Sequence, residues 1–206
     1  KKQQGDYLEA DVSYKFTLNK LNQNFQPSNG YKMSFFQTIP LISNDSAFSN
    51  SIQFTNYYPI TDEMIFTFNF YTKAINSLTG KDIRISKRAY LSSKRLRGFE
   101  SGKIGPKDGT DYIGGNFASS LNLSTTLPQL LSDLQNLDFK IFYDLGNVWG
   151  VDYNSSLDSN KIRSSTGISV DWHTPIGPLS FSLAQALTKA DTDVTENFRF
   201  DIGTTF

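Results

Sequence analysis

A basic run with one aromatic ring is the most distinctive chemical feature of the sequence. Arg97-Gly98-Phe99 places a permanent cation, a residue free to adopt positive φ and a large apolar ring in three consecutive positions. Such a triplet suits the tip of a loop that folds back into a cavity. A solvated basic turn is the simpler interpretation of these three residues by themselves, so the surrounding elements must decide between the two.

Other residues with acid, base or metal chemistry are scattered. His173 is the single histidine and stands beside Pro175 at a turn, so a Ser/His/Asp triad would depend on one residue at a strand end. Asp191 and Asp193 could hold a calcium ion, but solvated loop acids are the simpler account. Cysteine is absent, which excludes a disulfide framework and a thiol nucleophile. The sequence therefore predicts no catalytic residue, no metal site and no cofactor, and we expect a protein that is not an enzyme.

Composition narrows the class of protein further. The 206 residues carry 20 basic and 20 acidic side chains, a balance that offers no field for nucleic acid. Aromatic residues make up 14% of a chain whose hydrophobic fraction is only 38%, which indicates that rings lie on a surface. No stretch of the sequence approaches the roughly eighteen apolar residues that a transmembrane helix needs. If the chain crosses a membrane, it must cross as strands.

Alternation of apolar and polar residues runs through most of the chain and predicts about nine strands of roughly ten residues each. In residues 7–18, the charged side chains fall on one face and the bulky apolar side chains on the other. Phe66, Phe68 and Phe70 share one side of another strand. A row of large apolar groups on one side of a strand is typical of a lipid-facing band.

This pattern predicts an all-β fold, a transmembrane antiparallel β-barrel. A soluble β-sandwich or lipocalin-like barrel is the alternative, but neither needs long loops at one end or rings crowded near strand ends. The short turns at 59–62 and 173–177 are assigned to the periplasmic side, and the long segments, 75–111 above all, to the outside. An odd number of strands is not typical of a complete bacterial barrel, so we expect the carboxyl-terminal part of a larger one.

Motifs in order along the chain closely resemble the BamA family of bacterial outer-membrane assembly barrels. They are Arg97-Gly98-Phe99, Ile104-Gly105-Pro106, Gly114-Gly115-Asn116, Tyr143-Asp144-Leu145-Gly146-Asn147-Val148-Trp149, Gly177-Pro178-Leu179-Ser180-Phe181-Ser182 and Phe200-Asp201-Ile202-Gly203-Thr204-Thr205-Phe206. The resemblance implies a sixteen-strand barrel preceded by periplasmic POTRA domains. Residues 1–206 would supply the last nine strands of that barrel, a domain of the bacterial surface antigen type.

The resemblance also implies that the long loop, at about 75–111, folds into the barrel lumen and that Arg97 pairs there with Asp144. The strand pattern agrees independently, because Asp144 shares the polar face of its strand with Lys140 and would point into the lumen. We name Arg97, Gly98, Phe99 and Asp144 the lumen loop latch. Its expected role is to hold the loop against the wall of the barrel.

The last segment resembles the β-signal of outer-membrane proteins and would be the moving part. In the family, a lateral seam lies between the first and last barrel strands. The residues that match its last strand are Phe198, Phe200, Ile202, Gly203 and Phe206. Gly203 would weaken the strand where it kinks, or it would only make room for a neighbouring bulky side chain.

These resemblances predict a barrel subunit that folds and inserts nascent β-barrel proteins in the bacterial outer membrane. The expected partners are outer-membrane lipid and lipopolysaccharide, nascent outer-membrane proteins, and accessory assembly lipoproteins bound through POTRA domains. One alternative is a two-partner secretion or TamA-like translocation barrel, which shares the Arg-Gly-Phe loop. The other is a passive porin.

Overall fold

The computed structural model describes residues 8–43, 46–128, 136–158, 160–174 and 177–202. The strands are β1 (Glu9–Leu21), β2 (Gly30–Ser43), β3 (Ala47–Pro59), β4 (Ile65–Ser77), β5 (Lys107–Asp108), β6 (Asp111–Tyr112), β7 (Phe117–Thr126), β8 (Leu137–Trp149), β9 (Arg163–Thr174), β10 (Gly177–Thr188) and β11 (Phe198–Ile202). Short 3-10 helices occupy Ile85–Lys87 and Ser155–Leu157. Within the described residues, no helix is long and apolar enough to span a membrane.

Nine of the strands form one sheet in the order β1-β2-β3-β4-β7-β8-β9-β10-β11, and β5 pairs only with β6. Each neighbouring pair is antiparallel. Sequential antiparallel pairing needs only local connections, because each strand returns beside the one before it. The predicted all-β antiparallel architecture and the number of main strands are confirmed.

Two boundaries around the long loop differ from the prediction. Residues 75–77, assigned to the loop by sequence, continue β4, while residues 113–116, assigned to a strand, lie in the loop before β7. The reason is visible at Gly115, whose α-carbon presses so closely on the backbone of Trp149 that an added Cβ would lie 2.2 Å from its carbonyl oxygen. Gly115 pairs instead with Ala89 inside the loop. The loop therefore covers residues 78–116.

The pairing register continues the two predicted faces from strand to strand. On the outer face, Ile141 pairs with Ile168 and Ile168 with Leu183, and all three side chains are about half exposed. On the inner face, Asp144 pairs with Ser165, and both residues are fully buried. An apolar outer face and a polar inner face are the arrangement of a membrane barrel wall, and they confirm the period-two pattern.

The sheet curls strongly along its width. Phe25, in the turn between β1 and β2, lies with its ring centroid 5.4 Å from that of His173 near the end of β9. Four strands separate β2 from β9 in the sheet order, namely β3, β4, β7 and β8. A flat sheet would hold these rings far apart, since neighbouring strands are about 4.8 Å apart. His173 also contacts Asp138 through Nε2 at 2.9 Å.

The long loop packs on the inner face of this curled sheet. The buried apolar cluster takes six residues from the loop and three from the wall. The loop residues are Ile83, Ala89, Leu91, Leu96, Phe99 and Ile104, and the wall residues are Ile75, Ala118 and Val148. Burial of this apolar surface is the main force that fixes the path of a loop too long to be held by its ends.

Candidate functional site

A tight turn aims the basic part of the loop at the wall. The Ser92 carbonyl accepts hydrogen bonds from the Arg95 amide at 2.9 Å and from the Leu96 amide at 3.2 Å. Two residues later, Gly98 has a φ of 87°, a backbone conformation that costs an L-residue with a side chain extra energy. A Cβ at Gly98 would meet the Ser165 Cβ at 3.1 Å. Glycine therefore lets the loop backbone reverse while it touches β9.

The structure brings Arg97 and Asp144 together on the inner face. Arg97 donates three hydrogen bonds to the Asp144 carboxylate, from Nε to Oδ2 at 2.8 Å, from Nη2 to Oδ1 at 2.7 Å and from the backbone amide to Oδ2 at 3.1 Å. The Asp144 side chain is fully buried, and that of Arg97 is 18% exposed. A two-pronged guanidinium–carboxylate pair fixes both distance and orientation. Each charge is the partner of the other, and removing either one would leave an unpaired charge in a largely buried site.

Two further contacts hold Arg97. Its guanidinium carbon lies 3.5 Å from the centroid of the Phe142 ring, two residues before Asp144 on the same face of β8. The Ser165 hydroxyl donates a hydrogen bond to the Arg97 carbonyl. An arginine held by a carboxylate, a ring and a backbone bond has little freedom to change rotamer, so this part of the loop is positioned from β8 and β9 together.

Arg95 makes a second set of contacts on the other side of the loop. Its guanidinium carbon lies 3.4 Å from the centroid of the Tyr71 ring on β4, and Nη2 lies 3.5 Å from the Gln53 side-chain oxygen. The Asn122 side chain on β7 donates a hydrogen bond to the Arg95 carbonyl at 2.9 Å. Burial lowers the pKa of the Arg95 guanidinium, although an arginine remains protonated near neutral pH. The sequence analysis did not identify Arg95, and no sequence pattern indicated Tyr71 as its partner.

Phe99 lies in the apolar cluster and is 1% exposed. The loop continues past it to Gly105, which has a φ of 90° and lies so close to β8 that a Cβ would meet the Val148 Cβ at 2.8 Å. All four residues of the lumen loop latch therefore belong to one contact region, in which Phe99 is anchored by burial and Arg97 by charge.

One buried ion pair was missed by the sequence analysis, and it corrects one expectation. Asp193 is not a solvated loop acid, because its side chain is fully buried and receives a hydrogen bond from Arg163 Nε at 2.8 Å. Arg163 is itself fully buried at the start of β9. The available signal was the position of Arg163 on the inward face of its strand, since a buried cation needs a partner.

Three of the residues expected at the seam lie on β11, the last described strand. Phe198, Phe200 and Ile202 point to the outer face of β11, and their side chains are 56%, 43% and 70% exposed. The Phe200 ring stacks on Phe181 of β10, with centroids 4.8 Å apart. Among the described strands, β11 pairs with β10 alone. The other two seam candidates, Gly203 and Phe206, lie outside the described residues.

Comparison with known proteins gives one consistent family. The model of the Omp85 superfamily domain matches residues 1–206. The chain is 29% identical over 209 residues to the outer membrane protein assembly factor BamA of Neorickettsia risticii, an alignment that covers 98% of this chain and 28% of the relative. It is 31% identical over 139 residues to BamA of Neisseria meningitidis serogroup B, over 54% of this chain and 17% of the relative. The chain therefore spans less than a third of the length of these relatives.

The fold is also that of a solved BamA structure. The crystal structure of BamA from Haemophilus ducreyi lacking POTRA domains 1–3 matches with a TM-score of 0.84 and 28% sequence identity, over 92% of this chain and 41% of that one. The predicted resemblance to BamA is confirmed, and the localisation that follows from these relatives and this fold is the bacterial outer membrane. The chain belongs to the Omp85 superfamily, with BamA proteins among its relatives.

Proposed function

We propose that this chain is the part of an outer-membrane assembly barrel that holds the long loop and supplies the seam strand, and that it works without enzymatic chemistry. The single observation that carries the proposal is the three-bonded contact of Arg97 with Asp144 at the centre of a packed loop. Relatives across the superfamily domain carry the name of outer membrane protein assembly factor. Their name supports a role in outer-membrane protein assembly for this chain.

In this proposal the latch keeps the long loop in one position on the inner wall. A loop of this length costs a large amount of conformational entropy to order, and the buried cluster around Phe99 and the Arg97 pair together offset that cost. A fixed loop leaves the rest of the inner face in a defined shape while the seam moves. The latch is thus proposed as a static element and β11 as the mobile one.

The seam is proposed at β11 because an edge strand has free backbone donors and acceptors that another strand can pair with. The proposed partners at this edge are nascent outer-membrane proteins, whose strands would add to the sheet through main-chain hydrogen bonds. Outer-membrane lipid and lipopolysaccharide would contact the apolar outer face. Accessory assembly lipoproteins would bind through POTRA domains, and a sixteen-strand barrel would be completed by strands that precede residue 1.

A passive porin is the less favoured function, because a porin needs an open aqueous interior. The long loop instead packs an apolar cluster against the inner wall, with Leu96 and Phe99 almost completely buried. A translocation barrel of the two-partner or TamA-like kind shares the Arg-Gly-Phe loop, so function and not fold must separate it from an assembly factor.

The test is complementation by the full-length natural protein in a strain depleted of its own assembly factor. Arg97→Ala and Asp144→Ala are expected to reduce growth and the level of folded outer-membrane proteins to nearly those of the depleted strain, and to expose the long loop to added protease. Lys94→Ala is the matched control in the same loop, because its side chain is half exposed and 4.0 Å from Asp201. Such an exposed pair contributes about 0–1 kcal/mol.

Three results would contradict the proposal. The first is normal assembly and unchanged protease protection in both latch variants. The second is a wild-type protein that secretes a dedicated polypeptide but restores no outer-membrane protein, which would favour the translocation barrel. The third is a large, steady single-channel conductance without any assembly activity, which would favour the porin.

A further inference from the structure

We propose that Arg163 is a positioning residue for the lumen loop latch. Through Asp193, Arg163 holds residues 189–197 as a fixed support, and residues 98–103 of the long loop pair with that support. The segment 189–197 leads directly into β11, so the latch and the seam strand are joined by one short piece of backbone. This inference rests on the proposed function for its meaning, but its geometry does not depend on it.

The first step is the ion pair itself. Arg163 donates from Nε to Asp193 Oδ2 at 2.8 Å and from Nη2 to Asp193 Oδ1 at 2.9 Å. Its Nη1 donates to the Asn147 side-chain oxygen at 2.5 Å and to the Lys161 carbonyl at 2.9 Å. Both charged side chains are fully buried. A guanidinium with this many partners, shielded from water, defines the position of the carboxylate closely.

The second step connects Asp193 to its own segment. Asp193 Oδ2 also accepts a hydrogen bond from the Ala190 amide at 2.6 Å, and the Asp193 amide donates to the Ala190 carbonyl at 3.1 Å. The carboxylate therefore closes a turn at 190–193 while Arg163 fixes that turn to the start of β9. The turn therefore fixes where residues 194–197, which follow it, begin.

The third step is a short antiparallel ladder between this segment and the long loop. Phe99 and Thr195 form an isolated β-bridge. The Glu100 amide donates to the Val194 carbonyl at 3.0 Å, and the Glu196 amide donates to the Gly98 carbonyl at 3.1 Å. These two bonds flank the bridge on both sides, as in a regular antiparallel pair. The ladder thus includes Gly98 and Phe99, two of the four latch residues.

A third hydrogen bond extends the ladder, and a further one connects the end of the segment to β10. The Val194 amide donates to the Lys103 carbonyl at 3.1 Å. On the opposite side, the Asn197 carbonyl accepts from the Ala184 amide of β10 at 2.8 Å, immediately before β11 begins. Isolated two-stranded pairings are only marginally stable, so this ladder needs a support. The buried Arg163–Asp193 pair lies one residue before it.

The experiment is amide hydrogen exchange on the full-length natural protein in lipid nanodiscs. In Asp193→Asn, the amides of Glu100, Val194 and Glu196 are expected to exchange at least about tenfold faster, because the ladder opens locally without global unfolding. Amides in the centre of β8 are expected to keep their wild-type rates. Asp191→Asn is the matched control, an exposed acid two residues earlier in the same segment, and should leave all three amides unchanged.

Two more variants keep the inference falsifiable if Asp193→Asn fails to fold with an unpaired buried arginine. The double variant Arg163→Met/Asp193→Asn removes both charges, a change that buried pairs often tolerate, and it should show the same fast exchange at Glu100, Val194 and Glu196. Arg163→Lys keeps the charge but loses the two-pronged geometry, so it should fall between the wild type and the double variant. A merely structural role would raise exchange throughout β9 and β10 instead of at the ladder.

Unchanged exchange of the three amides in the folded double variant would overturn the inference. The same variants, reconstituted into liposomes, are then assayed for insertion of a β-barrel substrate. Fast ladder exchange with slower insertion supports a positioning role, and fast ladder exchange with unchanged insertion refutes one. If the wild type itself inserts no substrate, the proposed function fails, while the exchange result still decides whether Arg163 supports the loop.

Discussion

The centre of the inner wall and the edge of the sheet are built in opposite ways. At β8 and β9, Asp144 and Ser165 are fully buried, and both are hydrogen bonded to Arg97 of the long loop. At β11, only five described residues pair with a single neighbour, and Ile202 is 70% exposed. The comparison contrasts a stretch of wall that the long loop covers and bonds with a described strand whose apolar side chains remain exposed.

This difference has a thermodynamic meaning. Protein segments open with free energies that range from almost zero at edges and termini to the full unfolding value in the core. Breaking the contact of Arg97 with Asp144 leaves a fully buried carboxylate without its guanidinium partner, whereas parting β11 from β10 breaks main-chain hydrogen bonds between two strands. The function proposed above, a static latch beside a mobile seam, needs both kinds of region.

Asp144→Ala is the strongest way to test the paired wall. It leaves the Arg97 cation in a largely buried site without its carboxylate, and removing one partner of such a pair is expected to cost about 3–5 kcal/mol. The measurement is the free energy of unfolding in guanidinium of the full-length protein, refolded in detergent. Protease cleavage of the long loop in the folded protein gives the local effect separately.

Asp62→Asn is the control for this prediction, because it removes a carboxylate from the exposed turn between β3 and β4. We expect it to change the free energy of unfolding by less than about 0.5 kcal/mol. A loss below about 1 kcal/mol for Asp144→Ala, close to that of an exposed pair, would mean that the wall is no better held than the surface, and the comparison would fail.

Gly98→Ala tests how closely the loop must approach the wall. The alanine would have to keep a left-handed backbone conformation, with a φ of 87°. Its Cβ would lie 3.1 Å from the Ser165 Cβ and 3.3 Å from the Ala184 Cβ. Strain and overpacking together are expected to cost about 2–3 kcal/mol. The measurement is again the free energy of unfolding.

Gly80→Ala separates the two costs. Gly80 also has a left-handed backbone, with a φ of 69°, but its added Cβ would have nothing within 4 Å. We expect it to lose only about 1 kcal/mol, the backbone part alone. Equal losses at Gly80 and Gly98 would show that the loop is not pressed against β9 and β10.

The fold was readable from the sequence because one physical rule repeats along it. Side chains in a strand alternate between faces, so the polar and apolar faces of nine strands could be assigned without knowledge of their partners. Asp144 was placed inward by that rule, and Phe66, Phe68 and Phe70 outward. Strand ends were less accurate, since Gly114-Gly115 departs from strand geometry through contacts with residues far away in the sequence.

The inner contacts were only partly predictable for the same reason. Alternation shows that Arg163 faces inward but says nothing of which loop will reach it, and Asp193 lies in a segment without any periodic pattern. The pairing of Arg97 with Asp144 was expected from the family resemblance together with the face of Asp144. No family motif includes Arg95 or Tyr71. Their contact depends on the turn at Ser92, which no sequence pattern predicts.

Phe200→Ala gives the smallest expected effect and examines the edge itself. The Phe200 ring is 43% exposed and stacks on Phe181, so its loss is expected to cost about 0.5–1.5 kcal/mol of global stability. Its local effect should be larger in proportion, because β11 pairs with a single neighbour among the described strands. Amides of β11 are expected to exchange faster in the variant, while those of β8 stay at the wild-type rate.

Ile141→Ala is the control, a similarly exposed outer position between two paired strands, where the neighbours on both sides hold the backbone. If Ile141→Ala and Phe200→Ala open their strands equally, the edge has no special freedom, and the movable element must be sought elsewhere in the barrel.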